Sequence, residues 1–259
     1  MTTICVLFSF ARSGGTLLNQ LLGAHPDCWV LSETNPAGSV VPLARQAAEW
    51  LGAIEPGERA AFDELSYHEQ IARLDALARD RGKTLVIRDW VTVNFLAGAS
   101  GAAIVPSKVL EQEVYLSRGG YHLTPLVLTR SGAAVYASIR RSFSHLADLS
   151  EDRFATAYLE YARAVAAFPR VALEDLRRQS RATLTRALSI LDISLDHIDH
   201  QLSSFAEFQR CTGNNTLAIA SATSLARRVL PPGEEAAGTG FLNEGAAMAE
   251  ADALLGYGR

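Results

Sequence analysis

The chain has 259 residues, enough for one substantial core, and 48% are apolar against 20% charged, the balance of a water-soluble globular fold. A formal charge of -4 argues against the basic surface that nucleic acid or a polybasic membrane site requires, so neither partner is expected. Cys5, Cys28 and Cys211 are too far apart in sequence to suggest a disulfide framework or a zinc site.

The chain opens on an apolar run, Ile4 to Phe8, that reads as a buried strand. Ser9-Phe10-Ala11-Arg12-Ser13-Gly14-Gly15-Thr16 follows. Leu17 to Leu22 then has helical apolar spacing, ending at His25-Pro26-Asp27. Strand, glycine loop and helix start together make a phosphate cradle. The first N–H groups of a helix lack internal partners, the peptide dipoles place positive charge there, and glycine lets an anion approach the backbone. Arg12 adds a cation at the loop tip, and Ser13 and Thr16 add hydroxyls. Against the P-loop pattern G-x-x-x-x-G-K-[ST], Ser9 stands at the first glycine and Gly15 at the lysine. Without that lysine, magnesium-dependent nucleotide chemistry is the weaker reading and a different phosphate-bearing donor the stronger. The sequence enters its first strand with no basic leader and no long apolar run, so a cytosolic, reducing setting is expected.

Trp29-Val30-Leu31 is short and apolar enough for a second strand, with Ser32-Glu33-Thr34-Asn35 at its end. In an open parallel sheet, ligands sit beyond the carboxyl ends of the strands, so Arg12 and Glu33 are expected at one cleft. Taken alone, Glu33 reads as a solvated loop carboxylate. Arg-Ser-Gly-Gly-Thr-Leu-Leu from Arg12, the Ala24-His25-Pro26 turn and the Glu33-Thr34 pair together resemble the opening of the sulfotransferases that use 3'-phosphoadenosine-5'-phosphosulfate (PAPS). The likeness is to the branch that includes the tyrosylprotein sulfotransferases and many bacterial enzymes. It implies that Arg12, Ser13, Gly14, Gly15 and Thr16 grip the 5'-phosphosulfate and that Glu33 is the catalytic base. The family loop has the form Arg-Ser-Gly-Thr-Thr-Leu, so Gly15 stands where a threonine is usual and one hydroxyl contact is missing.

From Pro42 to Arg81 apolar residues recur at three- and four-residue spacing, broken by Gly52, Pro56 and Gly57, which predicts at least two helices. The resemblance implies that this region shapes the acceptor pocket. Trp50, Phe62 and Tyr67 are candidates for its wall, although aromatic residues on amphipathic helices are more often core. Thr84 to Ile87 is the next strand, followed by Arg88-Asp89. By resemblance Arg88 is a catalytic cation at the transferring sulfuryl group; an Arg88–Asp89 contact that fixes the strand end is the equal alternative. Ser100 to Gly120 is glycine-studded and irregular, with Lys108 expected to be exposed.

Pro125 to Thr129 is another buried strand, leading into Arg130-Ser131-Gly132 and a helix from Ala133 to Ala147. Helical periodicity puts Ser138 two turns beyond Ser131 on the same face. The resemblance implies that Arg130 and Ser138 hold the 3'-phosphate of PAPS, chemistry that suits a guanidinium fork and a hydroxyl. Arg140 and Arg141 are expected to face solvent or an acidic neighbour. A helix from Asp152 to Phe168 capped by Ser150, a strand and turn over Arg170 to Leu176, and a helix from Arg177 to Leu191 follow. His197 and His200 read as surface residues rather than metal ligands. Cys211 to Asn215 is a turn. The family continues there with arginines and glycines around the adenosine end, whereas Thr216 to Ala220 is apolar here and arginines return only at Arg227-Arg228. Residues 231–259, rich in Gly, Ala and Glu, are expected as a lid or a partner-contact arm.

The expected fold is one three-layer α/β domain over residues 1–259, a parallel sheet flanked by helices. The expected activity is sulfuryl transfer from PAPS to a hydroxyl of a small-molecule acceptor, leaving 3'-phosphoadenosine-5'-phosphate (PAP) and needing no metal. A homodimer is compatible with the sequence. The alternatives are a P-loop-like small-molecule kinase, which needs a lysine or metal-binding aspartate near the cradle, and a non-catalytic nucleotide-binding protein.

Overall fold

The computed structural model of the chain describes residues 2–101, 104–212 and 245–257. Six strands form one central sheet: β1 (Thr2–Ser9), β2 (Cys28–Asn35), β3 (Gly38–Ser39), β4 (Thr84–Asp89), β5 (Tyr121–Thr129) and β6 (Arg170–Ala172), in the order β3-β2-β4-β1-β5-β6. All neighbours run parallel except the short edge strand β3, which returns antiparallel on β2. Side chains alternate across a strand, and here both alternations are apolar. Ile4, Val6 and Phe8 enter one core while Cys5 and Leu7 enter the other; Trp29 and Leu31 oppose Cys28 and Val30 in the same way. That is the signature of a sheet covered on both faces.

The first core is closed by α2 (Leu43–Arg45, continuing as a wider turn to Trp50), α3 (Arg59–Asp63), α4 (Tyr67–Asp80), α5 (Thr92–Phe95), α6 (Glu111–Arg118), α7 (Gly132–Ser142), α8 (Glu151–Val165) and α12 (Ala246–Leu255). The second is closed by α1 (Gly15–Gly23), α9 (Leu173–Arg178), α10 (Ser180–Ile190) and α11 (Ile198–Ser204). Ser66 and Ser150 cap α4 and α8 with their hydroxyls, supplying acceptors to N–H groups that a helix start leaves open. Phe62 is wholly buried, and none of Trp50, Phe62 and Tyr67 lines the cavity at the carboxyl ends of the strands.

Several boundaries differ from the sequence expectation. The second strand does not end at Leu31 but runs to Asn35, so Glu33 lies within it. The expected helix from Arg177 to Leu191 is two helices, parted at Gln179, whose φ of -135° and ψ of 54° are not helical. The helix after Arg130 stops at Ser142, and the irregular stretch before Gly120 contains α6. Within the segment expected as a lid or arm, residues 246–255 form α12, and Met248, Ala251 and Leu255 sit in the first core with α7 and α8. Residues 231–244, the Thr216 to Ala220 stretch and Arg227-Arg228 lie outside the described residues. Among the described residues, no helix is long and apolar enough to cross a membrane.

Candidate functional site

The carboxyl ends of β1, β2, β4 and β5 meet at one cavity of about 480 Å³. The loop after β1 turns sharply: Ser13 N–H donates to the Phe10 carbonyl at 3.1 Å, and Ala11 N–H donates to Thr92 Oγ1 at 2.7 Å. Arg12 and Gly14 both take positive φ, 69° and 89°. At Arg12 that conformation costs an L-residue about 1–2 kcal/mol. Gly14 meets two demands, because a Cβ there would also lie 2.4 Å from Leu173 Cδ1. Left-handed residues that alternate with Ser13 turn successive backbone N–H groups to one side, making an anion-binding concavity at the start of α1. Gly14, Gly15 and Thr16 line the cavity, whereas Ser13 is buried beneath it.

Arg12 is fixed from three sides. Its Nε donates to Ser138 Oγ at 3.0 Å, its carbonyl accepts from Arg130 Nη1 at 2.9 Å, and its guanidinium lies 6.0 Å from the centre of the Phe143 ring. The loop arginine and the Arg130/Ser138 pair are therefore one connected group. Burial, then the charge of Arg141, pushes the Arg12 pKa down, while Glu33 opposes them. Burial also lowers Arg130, followed by the charge of Arg177. Positive charges crowded in this way raise one another's cost, which a bound polyanion relieves.

Glu33 arrives by a different device. Ser32 pairs with Arg88 and Thr34 with Asp89, leaving Glu33 as an extra residue at φ 50°. Such a bulge re-aims one side chain at the end of a strand. Glu33 Oε1 accepts from Arg88 Nη2 at 2.8 Å, with the two side chains 16% and 5% exposed. Asp89 points to the opposite sheet face, where its Oδ1 accepts from Asn35 Nδ2 at 2.8 Å. Arg88 is thus tied to Glu33 on the neighbouring strand, in place of the Arg88–Asp89 contact.

Arg12, Gly14, Gly15, Thr16, Glu33, Arg88 and Arg130 all border this cavity; Ser138 reaches it through Arg12. Ser131 accepts from Ala134 N–H as the cap of α7 and does not line the cavity. Thr16 spends its hydroxyl on the Thr212 carbonyl at 2.9 Å, and Thr212 in turn bonds Ser32. The first two residues of the Cys211 turn are therefore threaded between α1 and β2. Of the other residues weighed, Lys108 is exposed and pairs with Glu160. Among the described residues, no group of three or more His, Cys, Asp or Glu is placed to hold a metal ion.

Several cavity residues had no mark in the sequence. Arg177 borders the site from the second turn of α9, and Thr92 props the loop. No spacing or residue type singled out Arg177, which lies five residues past the end of the short strand β6 and inside a helix. Beside the polar Gln20 and Ser142, much of the remaining wall is apolar, with Val40, Trp90, Leu96, Ile139, Phe143 and Leu146.

No protein-family model and no curated protein matches this chain. Solved structures that share its fold include two sulfotransferase domains. The sulfotransferase domain of the olefin synthase of Synechococcus PCC 7002 superposes with a TM-score of 0.63 at 17% identity, covering 98% of this chain and 93% of that one. A sulfotransferase domain from the curacin biosynthetic pathway also gives 0.63, at 16% identity, covering 99% and 98%. At that identity the likeness is one of fold.

Proposed function

We propose that the chain is a PAPS-dependent sulfotransferase acting on a hydroxyl of a small-molecule acceptor. The observation that carries this reading is that the N-terminal cradle and the Glu33 carboxylate open into one cation-rich cavity. The fold shared with two sulfotransferase domains supports it. The residues also fit the donor chemically: Arg88 Nε, on a side chain that lines the cavity, is a buried donor with no partner among the described residues. Buried polar groups are nearly always satisfied, and an unpartnered group in a cleft points to a ligand.

In this reading Arg12 and the N–H groups of Gly14 to Thr16 hold the 5'-phosphosulfate. They take up the charge that grows on the phosphate oxygen as its bond to sulfur breaks. Arg130 and Ser138, joined by Arg177, hold the 3'-phosphate and so fix the donor in line with the acceptor. Glu33 receives the proton of the acceptor hydroxyl as its oxygen bonds to sulfur. Arg88 orients Glu33 and faces the sulfuryl oxygens. PAPS supplies the activated sulfuryl group. The apolar wall from Val40 to Leu146 suits an acceptor with an apolar body, its hydroxyl directed at Glu33.

Calorimetry decides between donor classes. PAP is expected to bind without magnesium; binding of ATP with magnesium and none of PAP would replace this reading with a kinase. A screen of hydroxyl compounds with labelled PAPS then identifies the acceptor.

A further inference from the structure

Gly15 is the first residue of α1, and it does not take positive φ. Its backbone conformation is therefore open to any residue, and only space explains the glycine. A Cβ at this position would lie 2.4 Å from Ser9 Oγ, 2.7 Å from Arg88 Nε and 2.8 Å from Arg88 Nη2. The space of the missing side chain is filled by a guanidinium reaching over from β4.

These two neighbours differ in their freedom to yield. Ser9 Oγ has no hydrogen-bond partner among the described residues, and a hydroxyl on a single torsion rotates cheaply. Arg88 is 4% exposed, with Nη2 held by Glu33 and Nη1 within 3.4 Å of Ser32 Oγ. The same nitrogen that a methyl group at position 15 would press on is the one that holds the Glu33 carboxylate.

We propose that Gly15 is a positioning residue: its absent side chain is the seat of the Arg88 guanidinium, and through Arg88 it sets the orientation of Glu33. The threonine usual here in the resembled loop cannot coexist with this placement of Arg88. Only the catalytic consequence, a misdirected base, rests on the sulfotransferase reading; the seat itself does not.

The test is a double-mutant cycle of Gly15→Ala and Arg88→Ala in the full chain, read by urea denaturation and by arginine side-chain NMR. In the Arg88 background, Gly15→Ala lowers the urea midpoint. In the Arg88→Ala background it leaves the midpoint unchanged or raises it, since alanine is the better helix former. The Arg88 Nε–H signal, assigned by its loss in Arg88→Ala, is protected in the wild type. In Gly15→Ala it exchanges at least roughly tenfold faster. An equal fall of the midpoint in both backgrounds, or a protected Arg88 signal in Gly15→Ala, overturns the proposal. So does a Gly15→Ala chain that fails to fold and is not restored by Arg88→Ala. Wild-type protein that binds no PAP would sink the sulfotransferase reading while leaving this cycle decisive.

Discussion

Glu33 reaches the cleft because one residue of β2 has no partner on β4. Its role as proton acceptor can be separated from donor binding, because glutamine keeps its size and its hydrogen bond from Arg88 but cannot take up a proton. Glu33→Gln is expected to bind PAP within about threefold of wild type and to lose roughly 10²–10⁴ in transfer rate. Calorimetry and a labelled-donor assay on the screened acceptor measure the two effects; wild-type turnover would remove Glu33 from the chemistry. Arg130 makes the complementary case. Its guanidinium is held beside Arg12 and Arg177 in a half-buried place that lowers its pKa, an arrangement whose cost an anion offsets. Arg130→Ala should weaken PAP binding by roughly 1.5–3 kcal/mol, the range for a charge-assisted contact, and unchanged affinity would remove it from the phosphate site. Arg12, Glu33, Arg88 and Arg130 were legible because each stands at or near the carboxyl end of an apolar run, and topology sends all such ends to one side. Arg177, Thr92 and Phe143 were not, because helices that fold back over the sheet bring them there.

At the level of elements, the strands β1, β4, β5 and β6 could be read from their apolar runs. The bulge in β2 could not, because Ser-Glu-Thr-Asn carries polar residues where a strand pattern ends. The break at Gln179 has no proline or glycine to announce it. The start of α7, which directly follows Arg130 and its cap Ser131, is secured from far along the chain. Asp252 Oδ1 on α12 accepts from Gly132 N–H at 2.7 Å, and a Cβ at Gly132 would lie 2.3 Å from Met248 Sδ. Tyr158 on α8 donates its hydroxyl to the Arg130 carbonyl at 2.6 Å. A carboxylate at a helix start is favoured by the dipole and leaves no buried N–H unmet. Asp252→Ala is therefore expected to cost about 1–3 kcal/mol of stability in urea denaturation. Because α7 also carries Ser138, PAP affinity should fall in the same variant. Loss of stability without any change in PAP binding would mean that α12 supports the fold and not the site.

For the whole molecule, two apolar cores on either side of one sheet leave little room for charge, and Asp89 lies inside one of them. Its side chain is buried, Oδ1 accepts from Asn35, and Oδ2 has no side-chain or backbone partner in hydrogen-bond geometry among the described residues. Burial pushes the Asp89 carboxyl up to about 8, against the opposing hydrogen bond from Asn35 and with the charge of Glu111 adding to the rise. In the folded protein the acid is mostly neutral at pH 7, whereas in the unfolded chain it ionises near the ordinary aspartate value of about 4. Where the folded pKa is the higher, the unfolded state binds fewer protons between the two values, so stability falls as pH rises through that window. Relative to an Asp89→Asn variant, which has no proton to lose and keeps an acceptor for Asn35, the wild type should lose stability steadily from about pH 4 to about pH 8 and then level off. Urea denaturation of both proteins at a series of pH values reads the difference directly. Parallel stability curves would show that Asp89 is not held neutral, and that the buried network of Asn35 and Asn94 accommodates an ionised carboxylate.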